Sequence, residues 1–244
     1  MGLRLDKVLL SRGLVGTRSR ARDLIVRGAV TVDGIVETKP GALVREDVPL
    51  ALLEDADYVS RGSLKLLAAL DAFGFDPAGR AALDVGASTG GFTEVLLRRG
   101  AAHVTAVDVG HGQLHPRLAD DPRVKQHEGR DVRTLGPDDV GTPVEAIVAD
   151  VSFISLEKAL PVALALAAPG AWLVALIKPQ FEAGREAVGK GGIVRDAAVR
   201  EAQADKIETW IAGLAGWRVV GVIPSPVAGG SDNQEFLIGA VFDG

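Results

Sequence analysis

The spacing of apolar positions changes along this chain, and each change predicts an element. In "RLDKVLL", Leu5, Val8 and Leu9 recur at helical spacing, and Gly13 ends the run. Thr17 is placed to cap a second helix, "RSRARDLIVRG", in which Ala21, Leu24 and Ile25 share one face and Gly28 stops the turn. "VTVDGIVE" then alternates about Asp33-Gly34, the signal of a tight hairpin. Two small helices and a hairpin make one α+β module over residues 1–45. Residues 46–60, "EDVPLALLEDADYVS", read as an acidic linker.

A second domain, residues 61–244, opens with the helix "SLKLLAALDAFG" and then alternates. "AALDVG", "HVTAVDVG", "RVKQHEG", "EAIVAD" and "AWLVALIK" read as strands, separated by helical stretches such as "GFTEVLLRRG" and "LEKALPVALALA". After the helix in "RDAAVREAQADKIETWIAGLAG" come two more strands, "WRVVGVIP" and "EFLIGAVF". Alternation of this kind predicts an α/β fold with a doubly wound, mostly parallel seven-stranded sheet. The last two strands are joined by a Gly/Ser/Pro-rich loop with no crossover helix, so the last strand is expected to be antiparallel.

Charge changes the picture for the first module. The chain carries −5 overall, yet residues 1–45 hold nine Lys/Arg against four acids, or +5. A basic module on an acidic body points to a polyanionic partner. Arg18 and Arg22 are neighbours on the second helix, with Arg20 and Arg27 on another flank, and Arg4 and Lys7 belong to the first helix. A solvated helix face is the plainer reading of such arginines. Cysteine is absent, which excludes disulfides and thiolate metal sites, and the four histidines lack a zinc-ligand spacing, so no metal is expected. No run of eighteen apolar residues and no signal-peptide layout occurs, so the cytoplasm is the expected compartment and no membrane partner is expected. The expected state is a monomer.

Ligands of doubly wound sheets bind beyond the carboxyl ends of the strands. "LDVGASTGGFTEVLL" lies there, but Ser88 stands where a dinucleotide fingerprint has its middle glycine, which counts against a NAD-dependent enzyme. Asp108, Asp131 and Asp150 fall at the ends of the second, third and fourth strands. An acid at Asp108 suits two ribose hydroxyls, and one at Asp131 suits an adenine amino group. Each acid taken singly is equally a helix N-cap or a turn residue.

Two resemblances cover nearly the whole chain. "RLDKVLLSRGLVGTRSRARDLIVRGAVTVDG" resembles the S-four-like RNA-binding domain, which implies phosphate contacts to structured RNA from Arg4, Lys7, Arg18, Arg20, Arg22 and Arg27. Lys65 in "YVSRGSLKL", Asp150 in "ADVSFISL", Lys178 in "IKPQFEAGRE" and Glu235 in "NQEFL" resemble the Lys-Asp-Lys-Glu tetrad of FtsJ (RrmJ)-type ribose 2′-O-methyltransferases. With "GKGGIVRD", these motifs are together similar to the TlyA family, historically called hemolysins, which joins the two domains. That resemblance implies a Rossmann-like S-adenosylmethionine (SAM) methyltransferase sheet. It also implies a cofactor site drawn from Asp84, Gly86, Ala87, Ser88, Thr89, Gly90, Gly91, Phe92, Asp108, Asp131 and Asp150. The implied substrate is cytidine in ribosomal RNA on ribosomal subunits, with capreomycin and viomycin susceptibility as phenotype. The short ends of the chain favour the form of the family that acts on 23S rRNA alone.

A ribose hydroxyl is a weak acid, so methyl transfer needs alignment and proton removal. Lysine serves as a base only after losing its own proton, which burial and a neighbouring cation favour. Lys178 is therefore expected to take the proton or position the hydroxyl, with Asp150 orienting it and Lys65 and Glu235 holding the ribose and tuning charge. A salt-bridged pair capping the sheet is the plain alternative for Lys178 and Asp150. Phe153 is placed either to stack on a base or cofactor or to fill core. "GKGGIVRD" reads as a phosphate-contacting lid or a connector. A non-catalytic RNA-binding assembly factor and a membrane-lytic protein are the rival functions; the intact tetrad opposes the first and the lack of an apolar span the second.

Overall fold

The computed structural model describes residues 2–26, 28–53, 58–141, 143–189, 191–229 and 233–244. The chain forms two compact units, Met1–Arg61 and Gly62–Gly244.

The first unit contains β1 (Leu3–Arg4), α1 (Leu5–Ser11), α2 (Arg18–Val26), β2 (Val30–Val32), β3 (Ile35–Val36), β4 (Leu43–Val44) and β5 (Leu50–Leu52). Leu5, Val8 and Leu9 of α1 pack with Ala21, Leu24 and Ile25 of α2 in one core, as their 3.6-residue spacing requires. Thr17 Oγ1 caps α2 by accepting from Arg20 N at 3.1 Å. Asp33 and Gly34 both adopt positive φ (50° and 80°) between β2 and β3, which matches the twist of a two-residue hairpin.

The expected linker at 46–60 is corrected here. β5 lies within it, pairs antiparallel with β2, and Leu53 N donates to Ala29 O. The small hairpin sheet has an open edge, and "LAL" supplies its third strand. Residues 54–57 lie outside the described set.

In the second unit α3 (Gly62–Phe73) precedes β6 (Ala81–Val85), α4 (Gly91–Arg98), β7 (His103–Asp108), α5 (Pro116–Ala119), β8 (Val124–Glu128), α6 (Pro137–Val140) and β9 (Val144–Ala149). Then follow α7 (Leu156–Ala159), α8 (Pro161–Ala165), β10 (Ala167–Ile177), α9 (Pro179–Glu182), α10 (Ala197–Ala212), β11 (Trp217–Pro224) and β12 (Phe236–Phe242). The strand order is β11-β12-β10-β9-β6-β7-β8, with β12 antiparallel to both neighbours and the other pairs parallel. The doubly wound sheet with an antiparallel last strand is therefore as the alternation predicts.

Alternate residues of three strands, among them Leu83, Val85, Ile147, Ala149, Leu173 and Ala175, share a core with Leu156, Leu160, Ile207 and Ile211. α3 and α4 contact each other, and α3 also lies against β10, β11 and β12. Covered on both faces, β10 is buried from Ala171 to Ile177, which is why it reads as an unbroken apolar run. "LEKALPVALALA" differs from expectation: it forms two short helices, because Pro161 has no N–H for a continuous ladder.

Candidate active site

The carboxyl ends of β6, β7 and β9 open on a cleft of about 1220 Å³, lined by Gly86, Ser88, Asp108, Asp131, Asp150 and Ser152 among others. Gly86 makes the floor. Its φ is +83°, and a Cβ there would lie 2.6 Å from the Asp150 carbonyl oxygen, so only glycine lets the turn after β6 approach β9 this closely. Asp150 N donates to Val85 O at 2.9 Å, which fixes Asp150 beside that turn.

Asp108 ends β7 and accepts from Ser88 N (2.8 Å) and Gly110 N (2.7 Å), with a lone pair on each oxygen left for a ligand. The loop after β7 is closed by Glu128, which accepts from Gly112, Gln113 and Leu114 N at 2.7, 2.9 and 3.2 Å. Those backbone bonds hold its carboxyl below the ordinary range. Ser88 Oγ bonds Gln113 Oε1 at 3.1 Å, so the glycine turn and this loop form one wall. Asp131 lines the cleft but caps a 3-10 turn and is gripped by Arg133 at 2.6 Å, which lowers its pKa. An adenine amino group would have to share it with that arginine.

Asp84 lies wholly buried beneath the turn. Burial pushes its carboxyl up to about 7, against the opposing hydrogen bond from Thr93 Oγ1 (2.6 Å) and with the charges of Asp150 and Asp108 adding to the rise. Its Oδ1 has no hydrogen-bond partner among the described residues. The cleft thus offers what a SAM-sized cation–adenosine ligand needs: a tight glycine turn at the end of β6, a carboxylate at the end of β7, and further acidic groups in the lining.

The four lysine and acid candidates form two ion pairs. Lys178, directly after β10, lies 2.5 Å from Asp150 Oδ1, directly after β9. Neighbouring parallel strands bring these ends together, in register at Ala175 and Ala149. Lys65 Nζ, on α3, donates to Glu235 Oε2 at 2.6 Å, and this pair is buried, at 7% and 1% exposure. Three contacts were not anticipated. Lys178 Nζ donates to Ser152 Oγ at 3.0 Å, and Gln180 Nε2 to Glu235 Oε1 at 3.2 Å. Gln180 sits on the short helix that Lys178 begins, so it joins the two pairs. The third contact is Asn233, 3% exposed, whose amide accepts from Val194 N (3.1 Å) and donates to Gly192 O (2.9 Å). It clasps the "GKGGIVRD" loop to the entry of β12 next to Glu235; Lys190 of that loop lies outside the described residues. Ser152 and Gln180 each sit two residues past a candidate, inside "ADVSFISL" and "IKPQFEAGRE", which is the only sequence signal they carry.

Other candidates fall elsewhere. Of the glycine-turn residues, Gly86 and Ser88 line the cleft; Ala87, Thr89, Gly90, Gly91 and Phe92 are not part of its lining. Phe92 is 3% exposed and belongs to the core side of α4. Phe153 is not core: it is 90% exposed at φ +65°, with its ring 5.0 Å from that of Phe181. Glu182, a buried acid without a forecast role, accepts from Leu156 N at 2.8 Å, and burial raises its pKa. In the first unit Arg4 and Arg18 both bond fully buried Asp6 at 3.0 Å, and the Arg4 bond leads in drawing its carboxyl down to about 2. Arg20 pairs with Asp23 at 3.1 Å. Lys7 and Arg22 are exposed, and Arg27 lies outside the described residues. Among the described residues no His/Asp/Glu group suits a metal ion, and no helix is long and apolar enough to cross a membrane.

Known proteins share this sequence and fold. Residues 58–242 match the FtsJ-like methyltransferase family, and residues 3–48 match the S4 domain. The chain is 46% identical, over 96% of its length and 88% of the relative, to the 16S/23S rRNA (cytidine-2′-O)-methyltransferase TlyA of Mycobacterium tuberculosis. It is 37% identical, over 80% of its length and 75% of the relative, to the 23S rRNA (cytidine-2′-O)-methyltransferase TlyA of Campylobacter jejuni. A solved structure from Streptococcus thermophilus that carries the hemolysin name superposes with a TM-score of 0.76 at 39% identity, covering 99% of this chain and 88% of that one. With an S4 domain ahead of a SAM-dependent FtsJ-like methyltransferase domain, and this identity along nearly its whole length, the chain belongs to the TlyA family.

Proposed function

We propose that this protein methylates the ribose 2′-hydroxyl of a cytidine in ribosomal RNA, with Lys178 as the group that takes the hydroxyl proton. The carrying observation is the Lys178–Asp150 pair, 2.5 Å apart, in which Asp150 lines the cleft with Gly86 and Asp108 and Lys178 bonds Ser152 of the same lining. The 23S target is common to the names of both TlyA relatives, so 23S rRNA is the proposed substrate, with 16S as a further outcome of the test.

Bound SAM supplies a methyl group activated by a positively charged sulfur. Asp108 would hold its ribose, the backbone around Gly86 its methionine end, and the loop closed by Glu128 its outer side. Asp150 would compensate the ammonium that forms when Lys178 accepts the proton. Lys65 and Glu235 would tune charge and, through Gln180, steady the helix that begins at Lys178. Phe153, held outward at the rim, offers a face for a nucleobase to stack on. Of the cations expected to meet RNA, Lys7 and Arg22 are exposed and open to phosphates, while Arg4 and Arg18 are engaged by Asp6.

General-base catalysis contributes roughly 10²–10⁴ in rate. Lys178→Ala is expected to lose at least about a hundredfold in turnover on ribosomal subunits with tritiated SAM, while SAM affinity stays near wild type. Turnover like wild type in that variant, or methyl groups mapped to bases rather than ribose, would refute the assignment.

A further inference from the structure

We propose that Ser152 is a positioning residue for Lys178, which rests on the reading of Lys178 as proton acceptor. An amine nitrogen has three directions besides its own side chain. Ser152 Oγ takes a hydrogen bond from Lys178 Nζ at 3.0 Å, and Asp150 Oδ1 lies 2.5 Å from the same atom. The bond to Ser152 commits one of the three directions to an acceptor, while Asp150 Oδ1 makes a charge contact that lacks hydrogen-bond geometry. The directions that Ser152 does not take can serve substrate, as a lone pair on the uncharged amine and as an N–H once the proton has arrived. Asp150 alone sets a distance; Ser152 adds the second anchor that a four-carbon side chain needs to hold one orientation.

The backbone gives a second, independent reason. Phe153 sits at φ +65°, a strained conformation for a bulky residue. The strained turn directly follows β9 and Asp150. It carries the Phe153 ring out to 90% exposure while Ser152 meets Lys178. Ser152 is itself exposed and lines the cleft, so water would satisfy its hydroxyl and folding does not demand the bond.

In the step, the hydroxyl proton moves to Lys178 Nζ, and an oxygen electron pair forms the new C–O bond. The S–C bond breaks with its pair kept on sulfur, and Lys178 ends as an ammonium facing Asp150 and Ser152. A loosely held amine would reach this geometry less often, so the loss falls on turnover rather than on binding.

The test compares Ser152→Ala, Ser152→Thr and Lys178→Ala in the full chain, with ribosomal subunits and tritiated SAM. Ser152→Ala is expected to lower kcat about tenfold, with KM for RNA and SAM affinity within about twofold of wild type. Ser152→Thr, which keeps the hydroxyl, is expected to recover kcat to within about threefold. Unchanged kcat in Ser152→Ala overturns the proposal. So does a raised RNA KM in place of a lowered kcat, since that marks a direct substrate contact, or a failure of Ser152→Thr to recover. An active Lys178→Ala would instead remove the underlying reading of Lys178, so the two failures are told apart.

Discussion

Replacing Gly86 with alanine tests the link between the turn after β6 and the catalytic pair. At φ +83° an L-residue is strained by roughly 1–2 kcal/mol. The new Cβ would meet the Asp150 carbonyl oxygen at 2.6 Å and its carbon at 3.0 Å, where ordinary contact begins at 3.4 Å. The carbonyl must therefore retreat by about 0.8 Å, taking the difference of the two oxygen distances. That movement works against the 2.9 Å bond from Asp150 N to Val85 O and the β6–β9 ladder behind it. Strain and overpacking together cost about 2–4 kcal/mol. At roughly 2–4 °C per kcal/mol for a unit of this size, the midpoint of Gly62–Gly244 should fall by about 5–15 °C. Asp150 moves with its carbonyl, and a misplacement near 1 Å costs on the order of a hundredfold in rate. Gly74→Ala is the control, with φ +69° and nothing within 4 Å of the added Cβ, so it carries the strain without the clash. Thermal unfolding by circular dichroism and single-turnover methylation would be measured on both. If Gly86→Ala is no less stable than Gly74→Ala and methylates within about threefold of wild type, close approach of the turn to Asp150 is not what the site requires.

Asp84→Asn should abolish a pH dependence of stability. Its folded value, about 7, lies above the ordinary 3.8, so the protonated carboxyl favours folding below pH 3.8 and that contribution is lost as pH rises toward 7. About three units at 1.36 kcal/mol give roughly 4 kcal/mol as an upper limit, and urea titrations at pH 5 and pH 8 should show the variant gaining more at pH 8. Lys7→Ala and Arg22→Ala should each lower the salt slope of RNA binding by about 1 while leaving unfolding unchanged. Arg18→Ala should instead destabilise Met1–Arg61 by about 1 kcal/mol, because Asp6 stays buried and Arg18 is half exposed. Equal salt slopes for all three would contradict that division.

Much of this molecule can be read from spacing. The 3.6-residue and two-residue periods and the glycine stops mark the seven strands of the large sheet, the β2–β3 hairpin and the longer helices, because each buried face must recur with the period of its element; the two-residue strands β1 and β4 and the four-residue helices α5, α6 and α9 are too short to show one. The lapses are physical. "LAL" at Leu50–Leu52 has too few residues to show a period, and it becomes a strand only because β2 presents an open edge. The break between α7 and α8 follows from the missing N–H of Pro161, which an apolar count overlooks.

Sequence alone placed Asp150 and Lys178 at strand ends, since a charge closing an apolar run must emerge where the sheet stops. That these two ends are neighbours follows from the order of strands, which tertiary packing sets. Lys65 and Glu235, 170 residues apart, meet only because α3 packs against the sheet that β12 enters. Likewise, an arginine reads the same in sequence whether it faces RNA or holds a buried acid; only folding revealed Asp6 beneath Arg4 and Arg18. Local period is a property of neighbouring residues, whereas the partner of a charge is decided by which distant surfaces the hydrophobic core brings together.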